Sequence, residues 1–583
     1  MTTDDEIAGA LEAMADLLEA KDVEYKPRAY RRAAENIREH PSSVAALAED
    51  GTDALDEIDG VGDAIAAKIV EYTETGKIEE LEELRGELPV EMDALTRVEG
   101  VGPKTVGTLY RELGVRTLAD LDRAAREEKI REIHGFGPKT EQNILENIEF
   151  ARSARERELL GDGRPLADAI VKHLADSDPV ERVEVAGSIR RWRATIGDVD
   201  VLVGAEDHGA VLDAFTDWER VESVIESGEN KASVRAGGGV RVDIRVVVDA
   251  EFGSALQYFT GSKEHNVDLR NYALDRDIKL NEYGAFDISD VAAPESDQRV
   301  GERIGGHTEA SMYDALDLPT IPPELREGRG EIEAAAAGEL PDLVTEADVR
   351  GDIHAHTDWS DGGFTIEEMV GQAAAFGHEY IAVTDHASGP GIFGNTGLDD
   401  DELIEQIDAV EAVAADAEVE VLTGVEANID AEGGLSVSED VLDALDVIVA
   451  SPHSALDADI DAATERLTTA MEHPAVDVLG HPHGRLLNQR AGLDLDVTEI
   501  AAVAAEQDVA LEVNSNPTRL DLWGRPVQTA VEAGAPIAIN TDAHSPGEFG
   551  NVRYGVHTAR RGWAEPSDVV NTWPVEELRG FLH

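Results

Sequence analysis

At 583 residues the chain is long enough for roughly three or four domains, each with its own core, rather than one compact unit. Lys+Arg 50 against Asp+Glu 122 gives a formal net charge of −72, yet 42% apolar residues and regular strand and helix patterning exclude disorder and put the acid on folded surfaces. No apolar run reaches membrane-spanning length and the acidic N-terminus carries no signal-peptide pattern; with Cys 0, any metal site must use histidines and carboxylates.

Residues 1 to about 90 read as short amphipathic helices, among them Ile7 to Leu18 and Ala29 to Ile37. A glycine pattern then occurs three times: Gly60-Val61-Gly62 before a helix carrying Lys68, Gly100-Val101-Gly102-Pro103-Lys104-Thr105, and Gly135-Phe136-Gly137-Pro138-Lys139-Thr140. Each copy sets two glycines in a tight turn just ahead of a helix, so backbone N–H groups can face a phosphate without reading sequence. The repeat resembles the helix-hairpin-helix motif of DNA repair proteins. It divides the start of the chain into a helical domain over 1–90 and a second hairpin domain over 91–154.

From 155 to 250 the pattern is mixed strand and helix around Gly197-Asp198-Val199-Asp200-Val201. Aspartates one residue apart in a β-branched run share a strand face. A third acid, Asp243, lies in the run Val240 to Val248, which a neighbouring strand would bring alongside; three acids can hold two Mg²⁺ or Mn²⁺ ions, as phosphoryl transfer requires. Just upstream, Gly187-Ser188 offers close backbone approach and a hydroxyl, and Arg190-Arg191 offers planar forks for phosphate oxygens.

The segment 251–318 adds Tyr258-Phe259-Thr260-Gly261-Ser262, Asn266 and Arg270, followed by Asn281-Glu282-Tyr283. Together with the acidic motif, these residues resemble the palm and thumb of the X family of DNA polymerases, the polymerase beta group. The resemblance implies that Asp198, Asp200 and Asp243 are the catalytic metal ligands, and that Gly187, Ser188 and Arg191 hold the incoming triphosphate. It further implies that Tyr258, Phe259 and Gly261 pack against the incoming sugar, Asn266 contacts the base, Arg270 the template side, and Arg241 pairs with the third acid. Two positions depart from the family. Trp192-Arg193 stands where Gly-Lys often follows the double arginine, and an accompanying lysine position of the lyase members is Ala64. Lys68 matches the Schiff-base lysine of those members, so two roles stay open: a 5′-deoxyribose-phosphate lyase nucleophile, or a phosphate contact on a hairpin helix.

Residues 319–345, with Pro319, Pro322, Pro323 and the run Ala334 to Ala337, read as a linker holding one helix. Beyond it, over 346–583, seven apolar runs end in polar residues and alternate with amphipathic helices, the pattern of a parallel β/α barrel, in which a site lies where strand C-terminal ends converge. Eleven of the 17 histidines follow residue 345, and six of these sit at strand ends. This set resembles the PHP (polymerase and histidinol phosphatase) family, whose distorted seven-stranded barrel carries up to three metals. The resemblance implies nine ligands: His354, His356, Asp361, His386, Glu426, His453, His481, Asp542 and His544. An N/O set of this kind suits Mn²⁺, Zn²⁺ or Fe²⁺ without choosing among them. His483 and Arg519 are expected nearby as supporting or substrate contacts.

The expected architecture is therefore multidomain: helical DNA-binding domains with helix-hairpin-helix repeats, an α+β nucleotidyltransferase palm and thumb, and a distorted (β/α)7 barrel of PHP type. The expected protein is a DNA repair polymerase that fills short gaps from deoxynucleoside triphosphates (dNTPs), with a separate phosphoesterase acting as 3′-5′ exonuclease, 3′-end phosphatase or abasic-site endonuclease. One rival is an end-processing phosphoesterase whose polymerase half is a DNA-binding platform; intact Asp198, Asp200 and Asp243 speak against it. A non-catalytic repair scaffold is another, against which the complete ligand set speaks. Gapped or nicked DNA and other repair proteins are the expected partners, with no membrane, a monomeric state and a cytoplasmic location. Strong acidity with no lysine after Lys279 resembles proteins of salt-accumulating halophilic archaea. At molar salt the Debye length is about 3 Å, so this charge does not exclude a nucleic acid.

Overall fold

The computed structural model describes residues 4–23, 26–39, 44–49, 51–55, 58, 60–96, 98, 101–133, 135–142, 144–145, 148, 157–294, 297–392 and 396–583. The chain forms two compact units, one of residues 1–156 and 488–491, the other of residues 157–487 and 492–583.

The first unit is helical. Apolar residues at helical spacing on α1 (Asp4–Ala20) and α2 (Lys26–Glu39), including Ile7, Leu11, Met14, Ala33 and Ile37, share one buried core. Two hairpin helices follow, α3 (Asp63–Thr75) and α4 (Pro103–Leu113), each starting at the second glycine of its motif. Gly107 on α4 lies against α1, where a Cβ would stand 1.9 Å from the Ala20 carbonyl oxygen, so only glycine permits this approach.

The second unit contains palm, thumb, connector and barrel. In the palm, β1 (Arg182–Val185), β2 (Val199–Gly204), β3 (Val221–Ser227), β4 (Lys231–Ala236) and β5 (Val240–Val247) form one sheet in the order β1-β2-β5-β4-β3. Along β5 burial alternates, so Val240, Val242, Ile244 and Val246 face the core shared with α5 (Leu160–Ala175), while Arg241, Asp243 and Arg245 face away. A short helix α6 (Gly187–Arg190) follows β1. The thumb comprises α7 (Phe252–Thr260), α8 (Lys263–Leu274) and a three-stranded antiparallel sheet ending in Glu302–Gly305.

The barrel strands are β6 (Gly351–Asp352), β7 (Tyr380–Val383), β8 (Glu420–Asn428), β9 (Val447–Ser451), β10 (Val478–Leu479), β11 (Ala510–Asn514) and β12 (Ile537–Asn540). They pair in parallel and in sequence order, and a parallel bridge between Ala355 and Ala543 joins the first strand to the last, nearly closing the barrel. The expected architecture is thus present, with strands almost wholly buried on both faces, as a parallel sheet requires.

The stretch between thumb and barrel is packed rather than loose. It carries α9 (Glu331–Ala337), and its Arg326 is fully buried. Arg326 and Arg190 both pair with Glu309; Glu324 pairs with Arg560 and His557 of α11 (Val552–Arg561), α10 being Ile460–Met471; and Glu327 pairs with Arg191, Arg193 and Arg561. Burial alone would raise these three carboxyls, but the surrounding cations outweigh it and hold Glu309, Glu324 and Glu327 each at about 2.

A folded-state value below the unfolded one means that each pair contributes stability above the unfolded value near 4.5, and that this contribution is lost as pH falls from there toward 2. Protection of the amides in α11 and the connector, corrected for the intrinsic exchange rate at each pH, should therefore fall across that window before the barrel strands lose protection. Glu324→Gln should already loosen α11 at neutral pH by about 1–2 kcal/mol, the worth of a charge-assisted hydrogen bond to the half-buried Arg560. Equal α11 protection at pH 3 and pH 7, measured by hydrogen exchange with mass spectrometry, would show that these pairs carry no stability.

Candidate active sites in the palm and the barrel

Strand register builds the palm site. β2 and β5 run parallel with Asp200 opposite Asp243, and Asp198 precedes β2, so ligand atoms of all three acids lie within 4.8 Å of one another. Burial, with Asp198 and Asp243 alongside, pushes the Asp200 carboxyl up to about 7. Asp198 is raised as well, by burial and then by Asp243. Arg241 grips Asp243 through two 2.8 Å bonds, from Nε to Oδ1 and from Nη2 to Oδ2, which fixes that carboxylate in place. Gly187 has a left-handed φ of 61°, and a Cβ there would stand 1.9 Å from Asp200 Oδ2; the turn bearing Ser188 can approach the acids only because this residue is glycine. Beside the acids is a cavity of about 230 Å³ lined by Asp200, Ser233, Arg241, Asp243, Arg245 and Phe259, among others.

The expected nucleotide contacts divide. Arg191 is buried, donates from Nη1 to the Thr260 carbonyl at 2.7 Å, and bears on Asp200. Tyr258 and Phe259 meet edge to face at 5.2 Å, and the Arg245 guanidinium lies 4.4 Å from the Phe259 ring centre. Asn266 uses its amide internally: Nδ2 donates to the Tyr258 and Gly261 carbonyls at 2.7 and 3.2 Å, and Oδ1 accepts from Gln257 at 3.2 Å. It holds the turn at Gly261, where a Cβ would stand 2.6 Å from Asn266 Oδ1. Arg270 is exposed on α8, with Nε on the Asn266 carbonyl.

In the helical unit, Gly60 (φ 74°) and Gly135 (φ 94°) are left-handed, and Gly62 and Gly102 cap α3 and α4 without any side-chain hydrogen bond, leaving that role to the backbone. Lys104 and Lys139 are exposed beside Gly102 and Gly137, and Gly100 lies outside the described residues. Lys68 pairs with Glu80 at 2.9 Å. Burial would lower its amine, but the Glu80 hydrogen bond and the charges of Tyr30 and Glu80 prevail and raise it.

In the barrel, three groups can each hold a cation: His356, Asp361, His386 and His544; His354, His356 and Asp542; and His386, Glu426 and His453. The groups share His356 and His386, so they form one continuous cluster. His481, the ninth expected ligand, borders it with Nε2 2.9 Å from Glu426 Oε1. A cation fits this donor set. Among the described residues, His354 Nε2, both ring nitrogens of His356, His386 Nδ1, Glu426 Oε2, His453 Nε2 and His481 Nδ1 are buried without a hydrogen-bond partner. His386 Nδ1 and Glu426 Oε2 stand 2.6 Å apart and still do not align as donor and acceptor, as expected of lone pairs aimed at a shared point.

Sequence reading missed the residues that orient these ligands. Glu512, fully buried on β11, accepts from His354 Nδ1 at 2.7 Å, from the His481 backbone N–H at 2.7 Å and from Asn540 Nδ2 at 3.0 Å. Asn428 Oδ1 lies 2.6 Å from His453 Nδ1, and Arg466 on α10 donates to the Asp430 and Ser454 carbonyls at 2.7 Å, clamping the loops around His453. His483 pairs with Asp521 at 3.0 Å, and Arg519 Nε lies 3.6 Å from Asp542. Only a signal for acids inside apolar runs, such as Leu511-Glu512-Val513, could have singled out Glu512.

A carboxylate behind a histidine ring fixes its tautomer and raises its basicity, and its loss typically weakens metal binding by about 10–100-fold. Glu512→Gln should therefore leave less metal per chain after dialysis against a weak chelator, with the secondary structure unchanged by circular dichroism. Full metal retention in the variant would remove Glu512 from that role.

Four family models match the chain: a helix-hairpin-helix domain over residues 3–78, a SAM-like helix-hairpin-helix tandem over 92–149, the DNA polymerase beta thumb over 255–327 and the PHP domain over 352–516. DNA polymerase/3′-5′ exonuclease PolX of Bacillus subtilis (strain 168) is 33% identical over 581 residues, 99% of each chain. DNA polymerase lambda of Rattus norvegicus is 25% identical over 55% of this chain and 56% of its own length. A probable phosphatase of Thermoanaerobacter sp. (strain X514) is 29% identical over 40% of this chain and 93% of its own. Palm acids, thumb, hairpin helices and histidine-rich barrel thus lie in one chain that aligns end to end with such a relative, and the chain belongs to the X family of DNA polymerases that carry a PHP domain.

Proposed function

We propose that this chain is a DNA repair enzyme with two separate active sites: a polymerase that fills short gaps from dNTPs, and a PHP phosphoesterase that acts as a 3′-5′ exonuclease. The reading is carried by one observation: the palm triad and the barrel ligand cluster are both complete in the same chain. An end-processing hydrolase with a vestigial polymerase half would have no need to keep Asp200 opposite Asp243.

Asp198, Asp200 and Asp243 would hold Mg²⁺ or Mn²⁺, and the barrel set Mn²⁺, Zn²⁺ or Fe²⁺, up to three ions. Bound cations would supply Lewis-acid charge at phosphate oxygens and allow the two-metal form of nucleotidyl transfer. The protein's own groups do the positioning. Ser188 and Arg191 receive the triphosphate at the turn Gly187 keeps narrow, and Tyr258 and Phe259 form an apolar wall for the sugar, held in shape by Asn266. Arg241 keeps Asp243 aimed at the site. In the barrel, Arg519 is placed to meet a phosphate oxygen beside Asp542. The glycine turns at Gly60, Gly62, Gly102, Gly135 and Gly137, with Lys104 and Lys139, would contact the DNA backbone. Lys68 is read as a phosphate contact rather than a lyase nucleophile, because an amine held protonated by Glu80 is a poor nucleophile. Gapped or nicked DNA is the expected substrate, with a monomer in the cytoplasm as the working form and other repair proteins as further partners. No helix among the described residues is long and apolar enough to cross a membrane.

The two sites should separate by mutation. Asp198→Ala or Asp243→Ala should lower primer extension on gapped DNA by at least about a thousandfold, as expected when a preorganised charge site is broken, and leave 3′ hydrolysis nearly intact. His354→Ala with His356→Ala should remove barrel metal and hydrolysis while extension continues. Template-dependent extension surviving in Asp198→Ala, or unchanged metal content in the double variant, would overturn the respective assignment.

A surface carrying a formal −72 repels itself in dilute buffer, and the halophilic reading follows from that repulsion. Gap filling should rise several-fold from dilute buffer into molar KCl, with circular dichroism showing the fold tightening over the same range, although ordinary DNA binding weakens with salt. A protein fully folded and most active in dilute buffer would rule this out.

A further inference from the structure

Trp192, the departure from the family pattern, is a docking residue. Its ring stacks on His557 of α11 at 3.7 Å and 4°, with the Arg164 guanidinium 4.5 Å from the ring centre on the palm side. A bulky side chain at φ 53° is rare, and here it is held by this stack. The loop after α6, which leads out of the expected triphosphate turn, is therefore seated on a barrel helix.

Beside this stack, Glu327 of the connector gathers three guanidiniums. Its Oε1 accepts from Arg191 Nε and Arg561 Nη1, both at 3.0 Å, and its Oε2 accepts from Arg193 at 3.1 Å. Arg561, on α11, also donates to the Arg191 carbonyl. Arg191 Nη1 is taken by the Thr260 carbonyl, while Nη2 has no hydrogen-bond partner among the described residues; the guanidinium as a whole still bears on Asp200. The guanidinium is thus fixed at two of its three nitrogens, Nε by Glu327 and Nη1 by Thr260, with its charge still felt at Asp200. Free in water, such a side chain has rotamer entropy to lose on binding. Clamping removes most of that loss in advance.

We propose that Glu327 and Arg561 are positioning residues for the polymerase: the barrel helix, acting through one connector carboxylate, orients Arg191 to receive the dNTP triphosphate. The inference rests on Arg191 being a triphosphate contact, as read above. A competing arrangement uses the same contacts, with Glu327 as a stand-in anion that the triphosphate must displace. The two predict opposite signs for nucleotide KM.

The test is steady-state gap filling by the full chain, with dNTP varied and 3′ hydrolysis measured on the same preparations. Glu327→Gln should raise the dNTP KM by about tenfold, the loss expected for one charge-assisted contact, with kcat changed less than about twofold and hydrolysis unchanged. Arg561→Met should raise KM by a smaller factor, and Arg561→Lys should fall between it and the unaltered protein. Because the two act in series, the double variant should be no worse than Glu327→Gln alone. Arg191→Lys serves as the control: if it leaves KM unchanged, the triphosphate reading itself is wrong. If Arg191→Lys raises KM while Glu327→Gln leaves or lowers it, the positioning role is overturned and the earlier reading stands. Additive single effects overturn the chain of contacts. Should Glu327→Gln lose hydrolysis as well, and so be misfolded, Arg561→Met decides alone, an unchanged KM counting against the proposal.

Discussion

Like charges crowded out of water need a field to hold them, and both sites are built on that need. Asp200 is half-buried between Asp198 and Asp243, and desolvation together with those two charges pushes it up to about 7, so its charged form is held at a cost. Glu426, fully buried, lies within 3.2 Å of ring nitrogens on His386, His453 and His481. Neither group would be kept for stability alone, because well-packed apolar residues serve that purpose better. The parallel register of β2 on β5, the glycine at 187 and the closing bridge of the barrel make sense as ways to force acids and imidazoles together until a cation is the best partner available.

How much of this was legible in sequence follows from the range of each interaction. Asp198 and Asp200 are two residues apart, and a strand's period places them on one face whatever the rest of the chain does. Histidines at the ends of successive apolar runs are legible for the same reason: in a parallel barrel every strand ends on the same side. The partners of those residues are another matter. Glu512 reaches His354 across 158 positions of sequence, and Arg191 meets Glu327 across 136. No local period encodes such meetings. Asn266, which family resemblance assigns to the base, also holds its own helix turn through the Tyr258 and Gly261 carbonyls, a task that resemblance alone does not announce.

The stretch 319–345 illustrates how composition misleads when charge is placed unusually. Prolines and an alanine run suggest a spacer. The decisive residues are Glu324, Arg326, Glu327 and Glu331, which in most sequences would lie on a solvated face; here all four are largely or fully buried, Glu331 against His265 at 2.6 Å. Charged residues tolerate this only as complete networks, since a half-satisfied one costs more than an apolar core. Completeness here draws on thumb, palm and barrel at once, so no one of the three can supply the network by itself.

That arrangement also bears on how an acid-rich chain can meet a polyanion. Lys+Arg number 50 against 122 acids, and some of the arginines are turned inward: Arg191, Arg326 and Arg561 at the junction, Arg466 and the half-buried Arg485 on backbone carbonyls of the barrel. Arginine suits such work because its planar fork satisfies several acceptors at fixed angles and stays charged when buried. On a surface short of cations, the few lysines and arginines that remain exposed can share phosphate contact with groups that carry no formal charge. The N-termini of α3 and α4, capped only by the backbone of Gly62 and Gly102, are groups of that kind, and the amides there keep their direction at any ionic strength.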